Sequence, residues 1–144
     1  MVVKTKFFGE VEISDKDVVI FDEGIPGFQD MHRYTVINDG DNTFISYLQS
    51  LDEESVCFIM IPPIFALKDY EIEISGSTVR KLGIKKPKDV KLYAILTIPG
   101  SFKDATVNLK APIIVNTNNN RAVQEILDDE RYGIRHRIVK ESDV

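Results

Sequence analysis

Residues Val90 to Ile98, VKLYAILTI, carry the clearest sign of the fold. Nine residues rich in β-branched, aromatic and aliphatic side chains, with no Gly or Pro, make a strand long enough to lie inside a sheet. Shorter runs of the same kind recur on either side, separated by Gly, Pro, Asp and Asn. Val56 to Ile61, VCFIMI, is apolar throughout, as a strand buried on both faces would be. Upstream lie Thr43 to Leu51, Tyr34 to Ile37 and Val18 to Phe21, and before them Val2 to Phe8 and Glu10 to Ser14 joined across Gly9. Glu71 to Ile74 is short and alternating. Downstream, Thr106 to Leu109 and Ile113 to Asn116 flank Pro112, which cannot donate to a ladder and so marks a bulge, an edge or a break. This pattern predicts a mainly β chain, either a small closed or nearly closed β-barrel-like domain or a sandwich.

Two segments read as helix. In Arg121 to Asp129 the pairs Ala122/Ile126 and Val123/Leu127 form an apolar stripe at i, i+4 spacing, with Asn118 to Asn120 offering an N-cap and Gly133 a later stop. That makes a C-terminal amphipathic helix. Ser77 to Leu82 predicts a second, short helix ended by Gly83.

The chain has 144 residues, 43% of them hydrophobic and 28% charged, and a net charge of −5. No repeat, linker or shift in composition divides it, so residues 1–144 read as one domain with the last few residues a mobile tail. The acidic balance argues against wrapping nucleic acid, where a basic face supplies most of the affinity. No run approaches a membrane span, and MVVKTKFFGEVEIS lacks a signal-peptide core, so the expected location is the cytoplasm.

Little in the chain points to catalysis. Cys57, the one cysteine, sits in an apolar run and reads as a buried, inert thiol rather than a nucleophile. His32 and His136 are far apart and lack a second ligand at metal-binding spacing. No GxSxG elbow is present, and the acid clusters Asp52 to Glu54 and Asp128 to Glu130 fall in turns where solvated carboxylates are ordinary. The expectation is a chain without catalytic residues, metal or cofactor.

FDEGIPGF, Phe21 to Phe28, is the most distinctive local feature. Gly24 and Gly27 permit positive φ on either side of Ile25-Pro26, and Pro26 stiffens the loop. It reads as a turn with Phe28 folded back on the core, or as a rigid loop presenting Ile25 or Phe28 to a partner. Arg131 to Lys140, RYGIRHRIVK, is locally basic and reads as a solvated strand face or a weak anion patch.

Taken in order, FFGEVEIS (Phe7 to Ser14), FDEGIPGF, SYLQSLD (Ser46 to Asp52), LYAILTIP (Leu92 to Pro99), NLKAPIIVN (Asn108 to Asn116) and AVQEIL (Ala122 to Leu127) resemble the FliW family, the flagellar assembly factors of bacteria. The resemblance extends to about Lys140, with Asn118 to Asn120 peculiar to this chain. It implies a small β-barrel-like fold without a catalytic site. It also implies two protein partners: cytoplasmic flagellin and, when flagellin is exported, the carbon storage regulator, an RNA-binding translational repressor. No direct nucleic-acid or membrane partner is implied. The competing readings are a small β-barrel enzyme of unfamiliar type and direct RNA binding through Arg131 to Lys140. For the protein contacts the candidates are the apolar Ile25, Phe28, Leu48 and Leu51 and the acidic Asp52 and Glu53. Leu48 and Leu51 lie an odd number of residues apart, so a regular strand turns them to opposite faces.

Overall fold

The computed structural model describes residues 1–40 and 42–138. The tail expected to be mobile, with Val139 and Lys140 of the basic run, lies outside them. The described elements run β1 (Val2–Lys4), β2 (Glu10–Glu12), β3 (Val18–Ile20), β4 (Arg33–Asp39), β5 (Asn42–Ser50), β6 (Cys57–Ile61), α1 (Gly76–Leu82), β7 (Val90–Thr97), β8 (Thr106–Val107), β9 (Ile113–Asn116), β10 (Arg121–Gln124) and β11 (His136–Arg137).

Seven strands close a ring in the order β7-β6-β5-β4-β3-β10-β9 and back to β7. Neighbours are antiparallel except β3 and β10, which meet in parallel through Arg121 and Ile20. The long strand β7 closes the barrel because its two edges are used at staggered heights. Val90 to Tyr93 pair with β9, whereas Ala94 to Leu96 pair with β6. Its last residues, Leu96 and Thr97, pair with β8, which β11 extends. Pro112 stands at the break between β8 and β9, where the Asn108 side chain accepts from the N–H groups of Lys110 and Ala111.

Alternation along the strands divides the core in two. On β6 and β7, Phe58, Met60, Tyr93 and Ile95 face the barrel interior with Phe21, Tyr34, Leu48 and Ile113. Their neighbours Ile59, Ile61, Ala94 and Leu96 face a second apolar cluster outside the barrel, with Tyr70, Leu109, Leu127 and Tyr132. Two-sided burial explains why VCFIMI carries no polar position. Each large side chain fully withdrawn from water contributes about 1.5–3 kcal/mol; Leu48, fully buried, would cost about 2–5 kcal/mol if cut to Ala.

Helix α1 matches its sequence signals. Ser75 caps it by accepting from the Thr78 N–H, and Gly83 ends it at φ 66°. The other expected helix does not form. Arg121–Gln124 is strand β10, paired with β9 from Arg121↔Asn116 to Gln124↔Ile113. The Asn run makes the hairpin turn instead of an N-cap: Asn120 takes φ 57° and donates its N–H to the Asn116 carbonyl at 2.8 Å. The stripe Ala122/Ile126, Val123/Leu127 satisfies both periods locally, and the waiting edges of β9 and β3 outweigh the helical preference. Ala122 thereby enters the barrel and Leu127 the outer cluster. Glu71 to Ile74 also departs from expectation, since it joins no ladder.

Candidate protein-binding surface

The FDEGIPGF loop leaves β3 and folds back on the end of the barrel. Phe21 and Ile25 are buried in the interior cluster. Ile25, Pro26, Gly27 and Phe28 form a tight turn closed by Phe28 N–H to Ile25 C=O at 2.6 Å, with Gly27 at φ 89° after Pro26 as a type II turn requires. Gly24, at φ 68°, has a second constraint, because a Cβ there would lie 2.6 Å from the Gln29 Cα. Phe28 is half-buried, its ring edge-on to Phe58 with centroids 5.2 Å apart.

The structure brings this loop beside the turn that follows β5. Ser50 Oγ accepts from the N–H groups of Asp52 and Glu53. Buried Gln49 donates to the carbonyls of Ser50, Glu54 and Val56 and accepts from the Lys6 N–H, tying the turn and the β1–β2 hairpin to the barrel. Asp52 accepts from His32 and pairs with Arg33.

The expected contact residues therefore divide. Ile25, 2% exposed, and Leu48, fully buried, are core residues, which corrects their reading as anchors: barrel closure leaves neither any surface to offer. Phe28 and Leu51 are half-buried, and Asp52 and Glu53 remain at the surface. Sequence reasoning missed a sharper apolar feature. Ile64 and Phe65, each 59% exposed, follow Pro62-Pro63 at the end of β6, and the Phe65 ring lies 5.4 Å from that of Phe44. The signal was the unbroken apolar run Ile61 to Leu67, too long for the strand that prolines stop at Ile61.

Several acids elsewhere are paired with a cation. Asp22 pairs with Arg121, Glu23 with Lys81 and Asp129 with Arg131. In the basic run, Arg131 and Arg137 each meet an acid, Arg137 lying 3.7 Å from Asp104, and His136–Arg137 is a strand. Burial pushes the Cys57 thiol up to about 11, with Lys6 opposing slightly. Among the described residues no group of three or more His, Cys, Asp or Glu is placed to hold a metal ion.

Residues 2–138 match the sequence model of the family described as FliW protein. The chain is 42% identical over 142 residues to a protein named Flagellar assembly factor FliW from Ruminiclostridium cellulolyticum, spanning 98% of this chain and 96% of that one. A protein of the same name from Thermosipho africanus is 41% identical over 131 residues, 90% of each chain. A crystal structure of the flagellar assembly factor FliW superposes with a TM-score of 0.92 at 35% identity, covering 98% of this chain and 99% of the other. With sequence and fold alike over almost its whole length, the chain belongs to the FliW family of flagellar assembly factors.

Proposed function

We propose that this chain works by binding proteins, without catalysis, in the cytoplasm. It holds unpolymerised flagellin and, once flagellin is exported, the carbon storage regulator; capture of that repressor frees flagellin mRNA, so synthesis follows secretion. The full-length likeness to flagellar assembly factors carries this reading. Two physical features support it. A net charge of −5 suits a basic, RNA-binding partner, since opposite fields speed encounter and fix orientation. Exposed Phe44, Ile64 and Phe65 suit a flagellin segment that must be kept from assembling, because large apolar side chains grouped at a surface mark contact sites. Phe28, Leu51, Asp52 and Glu53, gathered at the loop end of the barrel, form the second proposed contact. Among the described residues no helix is long and apolar enough to cross a membrane.

Size-exclusion chromatography of the chain mixed with monomeric flagellin tests the first partner: a heavier species is expected, and two unshifted peaks at micromolar concentration would refute it. For the regulator, association rates should fall steeply with salt and slow when Glu53 and Glu54 are reversed to Lys. Rates insensitive to both would remove electrostatic steering.

A further inference from the structure

Beyond β10 the chain runs past residues 71–75, and the two segments enclose an open cavity of about 480 Å³, within the range of ligand sites. Side chains rather than a backbone ladder bridge its ends. At one end Ser75 Oγ donates to the Glu125 carboxylate at 2.8 Å, and Thr78 does likewise. At the other the Tyr132 hydroxyl donates to the Glu71 carbonyl at 2.7 Å and accepts from the Glu71 N–H at 3.0 Å.

The walls between are backbone edges without partners. The N–H groups of Glu125 and Leu127 donate to the carbonyls of Pro112 and Lys110, the alternation of an antiparallel ladder. By the same alternation Ile126 and Asp128 turn their backbone groups the other way, into the cavity. On the facing wall Glu71 and Ser75 both point their N–H groups across the cavity, so Glu73, midway between, shares that edge. None of Glu73, Ile126 and Asp128 has a backbone partner among the described residues. Ile72 and Leu127 pack in the outer apolar cluster and form a floor, while Ile126, 66% exposed, stands at the rim.

Charge selects the occupant. Glu73, Glu125 and Asp128 line the cavity, and among the described residues none meets a Lys or Arg within 4 Å, unlike Asp22, Glu23, Asp52 and Asp129. We infer that this slot takes an extended segment of another protein in which apolar residues alternate with Lys or Arg, added as a strand between the two walls. Such a strand would lie about 4.8 Å from each wall. Its apolar side chains would meet the floor and its cations the acidic rim, where opposite charges on neighbouring strands attract. The inference stands apart from which flagellar partner the chain holds.

The test is fluorescence anisotropy of the whole chain with a labelled seven-residue peptide of alternating lysine and valine. Binding is expected, with at least a tenfold loss when alternate backbone nitrogens are methylated and no binding when glutamate replaces lysine. The double variant Glu73→Lys/Asp128→Lys should weaken binding at least tenfold at an unchanged melting temperature, whereas Glu10→Lys/Asp15→Lys, at exposed acids that do not line the slot, should leave it within twofold. No binding of the lysine–valine peptide would overturn the inference. So would indifference to backbone methylation or equal effects of both double variants, which would mark diffuse attraction to an acidic surface. A dimer abolished by Ile126→Asp would give the slot to a second copy of the chain and likewise overturn it.

Discussion

Asp52 gathers four hydrogen bonds into one carboxylate, three of them from Arg33. The guanidinium contributes Nε at 3.2 Å and Nη2 at 2.9 Å, the Arg33 backbone N–H donates at 3.3 Å, and the His32 N–H at 3.1 Å. The pair clasps the start of β4 to the turn after β5, and hence the FDEGIPGF loop to the acidic turn. Burial works against the charge on Asp52, but the Arg33 side chain and the two backbone donors outweigh it and hold the carboxyl below its usual range.

A carboxyl depressed on folding stabilises the native state above its unfolded pKa, and that contribution fades as pH falls through the folded value. Asp52→Asn should therefore cost about 1 kcal/mol at neutral pH, a figure that allows for solvent screening of a partly exposed pair. The gap between wild type and variant should narrow below about pH 4. Urea melts across pH 2.5 to 7, read as the difference between the proteins, check it; a gap constant with pH would show the clasp contributes nothing through ionisation.

The two loop glycines should respond unequally. Gly27→Ala meets no atom within 4 Å and carries only the strain of a left-handed backbone, about 1 kcal/mol. Gly24→Ala adds a collision with the Gln29 backbone and should cost at least about 2 kcal/mol. Denaturant midpoints rank them, and equal losses would mean the loop relaxes around Gly24.

Replacing Phe65 separates contact from packing. The side chain is 59% exposed, so Phe65→Ser should change stability by less than about 1 kcal/mol. If the Phe44–Phe65 pair is a contact, flagellin affinity should fall about tenfold, chiefly through faster dissociation. Isothermal titration of both proteins decides it, and unchanged affinity would remove the patch from the binding surface.

Cys57 should resist thiol reagents while the chain is folded. With the thiol raised to about 11, its thiolate fraction at pH 8 is on the order of one in a thousand, against roughly a quarter for an unfolded cysteine. Labelling by a chromogenic disulfide should run about a hundredfold slower in buffer than in guanidinium. A comparable native rate would show a Cys57 exposed beyond its half-buried position.

Much of the architecture was legible because its causes are local. VKLYAILTI and VCFIMI announce strands through runs rich in β-branched, aromatic and aliphatic residues, and the lack of a polar position in VCFIMI follows from facing two clusters at once. Gly24, Gly27 and Gly83 take the positive φ that their turns demand. The segment Arg121 to Asp129 was not legible, since its apolar spacing serves a helix stripe or a strand equally and the decision rests on the edges of β9 and β3. Which of the candidate contact residues are exposed was not legible. Phe28, Leu51, Asp52 and Glu53 reach the surface at one end of the barrel, but Ile25 and Leu48 do not, and Phe65 does.

The sequence by itself determined that this chain is mainly β, which family it resembles, and where its tight turns fall, because hydrophobic period, turn chemistry and motif order are properties of neighbouring residues. Only the tertiary structure decided that β7 closes a barrel by pairing with β6 and β9 at staggered heights, and which apolar side chains remain outside it. A buried isoleucine and an exposed one are the same residue, and ring closure between strands distant in sequence tells Ile25 from Ile64.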